Sequence, residues 1–252
     1  MRSGGSSPRP ARSPSADPVA VAAARLAEAG CDTPRLDAEL LLREGADLER
    51  RIAREPVAYI LGRKGFRWIE LSVDPRVLIP RPDTETLVEV ALELAPHGAR
   101  VHDVGTGSGA VALALKHERA DLVVSGSDAS ADAVDVARAN AAQLGLDVAF
   151  SVADGLPDGT FDLVVANLPY VREDEWEHLQ PEIRTYEPRE ALVAGTDGLD
   201  AIRALVASAP ASLLLALEHA PDQGPAVREL LDDARTVRDL GGRERVTVGR
   251  AR

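Results

Sequence analysis

Two hydrophobic patterns alternate along the second part of the chain. Short apolar runs are separated by longer stretches in which apolar residues recur every three or four positions. The first pattern predicts buried strands, and the second predicts amphipathic helices. Strands are predicted at 100–104, 122–127, 147–152, 161–166, 212–218, 234–239 and 245–249, and helices at 109–117, 130–144, 199–208 and 224–233.

This alternation predicts an α/β fold with a doubly wound, mostly parallel sheet of seven strands, because a crossover helix returns the chain to the same sheet in the same direction. Only a few residues around Gly241 and Gly242 separate the last two predicted strands. That spacing leaves no room for a crossover helix. We therefore predict a hairpin there and an antiparallel final strand.

The residues before the sheet predict smaller elements. Asp17-Pro18 and Thr33-Pro34 each combine an N-cap residue with a first-turn proline, which predicts two short helices. A charged stretch at 43–55 leads into a third short helix at 56–62. These pieces are too small to bury much core of their own.

Four regions follow from these patterns. A strand pair is predicted at 66–73, and Asp83 or Thr84 can cap a linker helix that continues to Leu94. The tail is rich in Ser, Pro, Gly and Arg, a composition typical of disorder. The predicted regions are a disordered tail at 1–16, an N-terminal helical unit at 17–63, the strand pair and linker helix at 64–99, and the main domain at 100–252.

Composition narrows the classes of function. The formal net charge is −12, and proteins that grip a phosphate backbone usually present a basic face, so we expect no direct nucleic-acid binding. No apolar run can span a bilayer and no signal peptide is visible, so we expect no membrane association. The single cysteine, Cys31, fits a reducing cytoplasm, where we expect the protein to act. The histidines show no metal-binding spacing, so no metal site is predicted.

A glycine-rich segment, Gly105-Thr106-Gly107-Ser108-Gly109, lies between the first predicted strand of the sheet and the next helix. Small residues there let the backbone approach a nucleotide-like cofactor, and the helix N-terminus offers free N–H groups. The glycine spacing also fits the fingerprint of dinucleotide-binding proteins, so a dinucleotide is one alternative ligand. A structural turn that binds no ligand is the other alternative. Asp103, two residues before the first glycine, favours an S-adenosylmethionine site, unless its carboxylate only caps a turn.

Further acidic residues follow the next two strands. Asp128 ends the second strand, where a carboxylate can accept hydrogen bonds from both ribose hydroxyls; alternatively, it caps the helix at Ser130. Asp154 and Gly155 follow the third strand, where Asp154 can accept a hydrogen bond from an adenine amino group. The alternative for this pair is an ordinary Asp-Gly turn.

The turn Asn167-Leu168-Pro169-Tyr170 follows the fourth predicted strand. Asn167 Oδ1 and the Leu168 carbonyl are candidate acceptors for the two hydrogens of a planar amide or amino group, and Pro169 restricts Leu168 to an extended conformation. Tyr170 can pack its ring against such a flat group. The turn therefore predicts methyl transfer by positioning and hydrogen bonding. An Asx turn followed by a proline turn is the structural alternative.

Several segments resemble one family over roughly residues 17–252. The most distinctive of them is Leu78 to Glu85, and the others are Glu55 to Gly62, Asp103 to Gly109, Leu217 to His219 and Arg243 to Arg250. On these segments the chain resembles the release factor glutamine methyltransferase family (HemK/PrmC type), a class I S-adenosylmethionine-dependent family. A sheet that ends in a hairpin is also typical of class I methyltransferases.

The resemblance implies an S-adenosylmethionine-binding catalytic domain at 100–252. In it, Asn167, Leu168, Pro169 and Tyr170 would hold and orient the glutamine of a Gly-Gly-Gln loop in a peptide chain release factor. That protein would be the partner, and we expect the enzyme to be a monomer. The cofactor-binding residues would be Asp103, Gly105, Thr106, Gly107, Ser108, Gly109, Asp128, Asp154, Gly155 and Asn167.

The chain departs from the family pattern in two places. Leu168 stands where the family usually has a first proline, and Asn-Leu-Pro-Tyr is also the form found in rRNA adenine dimethylases. The N-terminal helical unit is short around 48–54. Two alternatives therefore stay open: an adenine N-methyltransferase acting on RNA or DNA, and a cofactor-binding module without catalysis.

Overall fold

The computed structural model describes residues 17–252, so the predicted disordered tail at 1–16 lies outside the described residues. The described residues form two compact units, divided between Leu61 and Gly62. Residues 64–99 thus belong to the same unit as the large sheet. No helix within residues 17–252 is both long and apolar enough to cross a bilayer.

The N-terminal unit contains four helices: α1 (Pro18–Glu28), α2 (Pro34–Glu44), α3 (Leu48–Ile52) and α4 (Val57–Leu61). Asp17 caps α1 by accepting a hydrogen bond from Val19 N at 3.0 Å, as the sequence predicts. Thr33 makes no side-chain cap on α2, because its hydroxyl donates to Asp37 Oδ1 at 2.8 Å. The short helix α3, whose N-cap is Asp47, was not predicted from the sequence.

The second unit begins with an antiparallel hairpin, β1 (Arg63–Phe66) and β2 (Ile69–Ser72). The strand pair was predicted at 66–73, but its first strand already begins at Arg63. The hairpin turn lies at Arg67 and Trp68, with Arg67 in the left-handed region (φ 48°), so the predicted range misses most of the first strand. A 3₁₀ turn, Pro82–Thr84, then leads into α5 (Glu85–Leu94). Neither this turn nor α5 has a side-chain cap, so the predicted capping by Asp83 or Thr84 was wrong.

The large sheet has seven strands in the order β5-β4-β3-β6-β7-β9-β8. Strand β9 is antiparallel to both of its neighbours, while the pairs among β3 to β7 are parallel. This arrangement confirms the predicted fold class and the terminal hairpin. The strands are β3 (Arg100–Val104), β4 (Val123–Asp128), β5 (Ala149–Val152), β6 (Leu163–Ala166), β7 (Leu214–Glu218), β8 (Asp232–Arg238) and β9 (Glu244–Arg250).

Helices cover both faces of this sheet. On one face lie α5, α6 (Ala110–Glu118) and α7 (Ala131–Leu144), and on the other lie α9 (Asp200–Ser208) and α10 (Gly224–Glu229). The connection from β6 to α9 also contains α8 (Pro181–Tyr186) and 3₁₀ turns at Glu173–His178 and Arg189–Ala191. The helix predicted at 224–233 was too long, because α10 ends at Glu229 and β8 begins at Asp232.

Alternate residues of β6 divide between two apolar clusters. Leu163 and Val165 pack with the hairpin and with α5, α6 and α7, whereas Val164 and Ala166 pack with α9 and α10. Because successive strand residues point to opposite faces, the two clusters lie on opposite sides of the sheet. This three-layer packing fixes the carboxyl ends of β3, β4 and β6, which carry the predicted site.

Candidate active site

The glycine segment turns tightly between β3 and α6. Gly105, Gly107 and Gly109 have φ values of 72°, 54° and 83°, a region that side chains rarely adopt. The N–H groups of Gly105 and Thr106 both donate to Ser127 O at 2.9 Å, which ties the turn to β4. A Cβ at Gly107 would point into open space, so the backbone there is accessible to a cofactor.

Asp103 lies beneath this turn, at the end of β3, and is 2% exposed. Its Oδ2 accepts hydrogen bonds from Thr106 Oγ1 at 2.7 Å and from Ala112 N at 3.3 Å. Burial raises the pKa of this carboxyl to about 7. Asp103 lines a cavity of about 50 Å³ together with the glycine segment and Asn167. Asp103 therefore stabilises the glycine turn through its hydrogen bonds and also lines the cavity.

Asp128 joins the glycine segment to α7. One carboxylate oxygen accepts from Gly107 N at 2.9 Å, and the other accepts from Ser130 N at 2.9 Å. The N-cap of α7 is Ser130, whose Oγ accepts from Ala133 N at 3.2 Å. Asp128 thus orients the loop without capping the helix, and each of its oxygens retains a lone pair for a further donor.

A larger cleft of about 460 Å³ adjoins the small cavity. Asp128, Asp154 and Gly155 line it, and Gly105, Gly107 and Asn167 line both spaces. A volume of this size is within the range of small-molecule and cofactor sites. The structure therefore brings together the predicted residues from the ends of β3, β4, β5 and β6.

Asn140 is a buried residue of α7 that the sequence analysis missed. Its Oδ1 accepts from Ser72 N at 2.8 Å, and its Nδ2 donates to Ser72 O at 3.0 Å and to Ser108 O at 2.9 Å. It therefore links the hairpin to the glycine segment. A polar residue on the apolar face of a predicted helix was the available signal.

The turn after β6 places its polar atoms at the same edge of the sheet. Asn167 Nδ2 donates to Thr84 Oγ1 at 2.9 Å. Leu168 packs over the glycine turn, since a Cβ at Gly105 would come within 2.9 Å of Leu168 Cδ2. The Tyr170 hydroxyl donates to Glu218 Oε1 at 3.5 Å, and burial raises the pKa of Tyr170 to about 12.

Two other groups of residues complete the walls. The segment before α5 contributes to the small cavity, and α9 presents a row at helical spacing to the larger cleft. None of these residues was predicted to have a role in the site. They are Leu78, Pro80, Arg81 and Thr84 before α5, and Ala201, Ala204, Leu205 and Ser208 on α9. For α9 the spacing of small residues was the signal.

The charged residues that line these two spaces are mainly acidic. They are Arg76, Arg81, Asp103, Asp128, Asp154 and Glu190. Both arginines are paired with carboxylates: Arg76 Nη2 lies 2.7 Å from Asp74 Oδ2, and Arg81 Nη2 lies 2.5 Å from Glu187 Oε1. The site therefore complements a cationic ligand better than a bare phosphate.

Comparison with known proteins adds independent information. The profile of the family described as "Methyltransferase small domain" matches residues 82–183. A release factor glutamine methyltransferase from Xylella fastidiosa is 46% identical over 218 residues, covering 81% of this chain and 79% of that protein. One from Pseudomonas aeruginosa is 47% identical over 219 residues, covering 80% and 78%. The solved hMettl16 catalytic domain, in complex with a 3′UTR hairpin, has a TM-score of 0.57 at 14% identity, covering 86% and 81%.

The sheet order, the antiparallel β9 and the glycine turn at the end of β3 define a class I methyltransferase. The two relatives then identify the particular family. With identities of 46% and 47% over about four fifths of its length, the chain belongs to the release factor glutamine methyltransferase family. The resemblance found in the sequence is thereby confirmed.

Proposed function

We propose that this chain is an enzyme that transfers a methyl group from S-adenosylmethionine to the side-chain amide nitrogen of a glutamine in a peptide chain release factor. The observation that carries this proposal is the orientation of Asn167. Its Nδ2 is engaged by Thr84, so its Oδ1 is left for a substrate N–H beside the glycine turn. We further propose the Gly-Gly-Gln loop as the methylated segment.

The residues around the cleft fit the cofactor. The turn at Gly105 and Gly107 presents backbone without side chains, and a Cβ at Gly107 would enter open space. Asp128 would hold the ribose hydroxyls, Asp154 the adenine amino group, and Asp103 the positively charged amino-acid end. When bound, S-adenosylmethionine supplies a methyl group activated by its sulfonium charge. The acidic lining of the two spaces stabilises such a cation.

The substrate nitrogen needs orientation more than it needs a strong base. An amide nitrogen is a weak nucleophile because its lone pair is delocalised into the carbonyl. Asn167 Oδ1 and the Leu168 carbonyl would accept its two hydrogens and turn the lone pair toward the methyl group. Tyr170 would pack against the flat amide. The proton can leave after the nitrogen has gained charge, so this mechanism requires no covalent intermediate.

Charge favours a protein substrate over a nucleic acid. Among residues 17–252, the pairing of Arg76 and Arg81 with carboxylates leaves the cleft lining without a free cation to bind phosphate, and salt-dependent nucleic-acid binding depends on such cations. We therefore propose that the enzyme binds the release factor without nucleic acid. We also propose that it acts as a monomer in the cytoplasm, where release factors function.

A labelling experiment tests the proposed function. Purified protein would be incubated with methyl-labelled S-adenosylmethionine and an unmethylated release factor, and the labelled peptide located by mass spectrometry. The label is expected on the glutamine of the Gly-Gly-Gln loop. The matched control is a release factor in which that glutamine is replaced by glutamate, which should take no label. Labelling of RNA or DNA instead would show that the adenine alternative is correct, and cofactor binding without any transfer would favour the non-catalytic module.

A further inference from the structure

Thr84 contacts two polar residues that come from distant parts of the chain. Its Oγ1 lies 2.9 Å from Asn167 Nδ2 at the end of β6 and 3.3 Å from Glu218 Oε1 at the end of β7. Thr84 is 3% exposed and Glu218 is 0% exposed. Both hydrogen bonds therefore involve a hydroxyl that is nearly closed to bulk solvent.

The Thr84 hydroxyl has a single hydrogen, and this decides which residue donates in each of its two hydrogen bonds. A threonine hydroxyl has one hydrogen to donate and two lone pairs. In its ionised form, above its pKa of about 7, the Glu218 carboxylate carries no hydrogen and can only accept, and its Oε1 also receives the Tyr170 hydroxyl at 3.5 Å. The hydrogen of Thr84 therefore goes to Glu218, and a lone pair on Oγ1 remains to accept an N–H from Asn167.

The consequence lies in the orientation of the Asn167 amide. An asparagine amide can rotate by half a turn and exchange its oxygen with its nitrogen, and the hydrogen-bond partners decide between the two states. With Nδ2 bound to Thr84, Oδ1 is directed to the other side. In the flipped state the Asn167 NH₂ would face the NH₂ of the substrate, and two donors cannot form a hydrogen bond with each other.

We propose that Thr84, held by Glu218, is a positioning residue that keeps Asn167 Oδ1 directed at the substrate nitrogen. The inference rests on the proposed function and extends it to the residues that prepare the acceptor. Thr84 itself does not touch the reacting atoms; it acts through Asn167.

The state of Glu218 argues against a purely stabilising role for this cluster. Its Oε2 is buried and has no hydrogen-bond partner within residues 17–252. A buried polar atom without a partner costs stability, so a group retained in that state is better explained by the site than by packing. Arg245 and Asp83 are the nearby charged groups, and Arg245 Nη2 lies 2.8 Å from Asp83 Oδ2.

A comparison of two Thr84 variants tests the inference. Thr84→Val keeps the shape and removes the hydroxyl, whereas Thr84→Ser keeps the hydroxyl. Thr84→Val is expected to lower kcat on a release factor by about 10- to 100-fold, by analogy with the loss of the hydrogen-bond partners that orient metal ligands. Thr84→Ser should stay within a few-fold of the parent, and in calorimetry the change in S-adenosylmethionine affinity of Thr84→Val should be much smaller than its loss of kcat.

A double-mutant cycle separates positioning from a general structural role. If Thr84 acts through Asn167, Thr84→Val should cause no further loss of kcat in a protein that already carries Asn167→Ala. Independent losses that multiply in the double variant would overturn the inference, as would a Thr84→Val enzyme with the parent's kcat.

A second measurement does not depend on activity. In ¹⁵N-labelled protein, the Asn167 side-chain NH₂ signal, assigned by its absence in Asn167→Ala, should contain one hydrogen that exchanges slowly with solvent. That protection should disappear in Thr84→Val and persist in Thr84→Ser. Protection that survives Thr84→Val would refute the orientation. A parent protein that shows this pattern but methylates no release factor would refute the proposed function alone.

Discussion

Leu168 stands at a position where the family resemblance leads one to expect proline, and its contacts explain how the turn accommodates it. Its side chain packs over Gly105 and joins the apolar cluster around α9. Packing thus restrains Leu168 in place of the proline ring that the family usually has at this position. Pro169 still limits the backbone of Leu168 to extended conformations. The Leu168 carbonyl therefore remains a fixed acceptor.

Replacing Asn167 by alanine tests the proposed acceptor. Asn167→Ala should lower kcat on a release factor by roughly 10²–10³, the usual loss when one preorganised hydrogen bond to the reacting group is removed. Because the cofactor would still be held by the glycine turn and Asp128, its dissociation constant should change little. Steady-state kinetics in both substrates, with calorimetry for the cofactor, would measure the two effects. Near-full turnover by Asn167→Ala would contradict the mechanism.

Asp128→Ala is expected to have the opposite pattern. It removes a carboxylate that would bind the ribose and that holds Gly107 N and Ser130 N. Hydrogen bonds to a charged group contribute about 1.5–3 kcal/mol each, so the cofactor's dissociation constant should rise at least about tenfold. The KM for the release factor should stay within a few-fold of the parent value.

The control for this variant is Asp132→Ala, which removes an exposed acid from the first turn of α7. Calorimetry would measure the cofactor affinity of both variants. A weakened cofactor affinity in Asp132→Ala, or an unchanged one in Asp128→Ala, would show that Asp128 does not form the ribose site.

At the scale of elements, the strands and helices of the large sheet could be predicted because their signals are local. Runs of apolar residues predicted β3 to β9 to within a few residues, and the short link at Gly241 and Gly242 predicted the hairpin. The exceptions have physical causes. The helix α3 is only five residues long and rich in charge, so it shows no apolar stripe, and the end of α10 carries no strong stop signal.

The residues of the site also fall into those that local sequence signals predict and those that they do not. The glycine turn, Asp128 and the Asn167 turn were predictable because each follows a strand end. Asn140 and Thr84 were not, because their contacts join residues 68 and 83 positions apart along the chain. Thr84 was interpreted as a helix cap on the basis of its neighbours. Only the packing of the 3₁₀ turn against the ends of β6 and β7 shows that its hydroxyl is used elsewhere.

The N-terminal helices offer a test of element packing. Arg51 Nε on α3 lies 2.7 Å from Asp37 Oδ2 on α2, and both side chains are less than a tenth exposed. Asp37→Ala would remove one partner of this buried ion pair, a change that destabilises more than the loss of an exposed pair. The amides of α2 and α3 should therefore lose protection in hydrogen-exchange measurements.

An exposed ion pair on the same helix provides the control. Glu39 pairs with Arg35 at 2.9 Å, with both side chains about half exposed or more, and such pairs contribute little. Glu39→Ala should leave the exchange rates nearly unchanged. Equal effects of the two variants would mean that the buried pair does not hold α2 and α3 together.

At the scale of the whole molecule, the two carboxyls whose pKa is raised to about 7 both belong to the candidate site. Asp103 is the penultimate residue of β3 and Glu218 is the last residue of β7, and burial is the main cause of the pKa shift at each. Such groups lower the stability of the fold at neutral pH. Asp103 lines the small cavity, and Glu218 contacts Thr84 and Tyr170 beside it, so this stability cost falls on residues of the candidate site.

The pH dependence of stability measures this cost for Glu218. Its pKa rises from 4.5 to about 7 on folding, so between these values the unfolded chain ionises while the folded protein keeps the proton. The unfolded state then binds fewer protons, and stability falls as pH rises from about 5 to 7. The expected loss from this group is about 3 kcal/mol. Asp103 adds a loss with the same sign over a similar range.

Glu218→Gln isolates the contribution of this one carboxyl, because glutamine has the same shape and does not titrate. Relative to the parent protein, its free energy of unfolding should increase by about 3 kcal/mol between pH 5 and pH 8. Chemical denaturation at several pH values gives this difference directly. For the control Glu229→Gln, at an exposed position, the free energy of unfolding should change with pH in the same way as that of the parent. If Glu218→Gln also runs parallel, the buried carboxyl is not protonated in the folded protein, and the stability cost assigned to it is wrong.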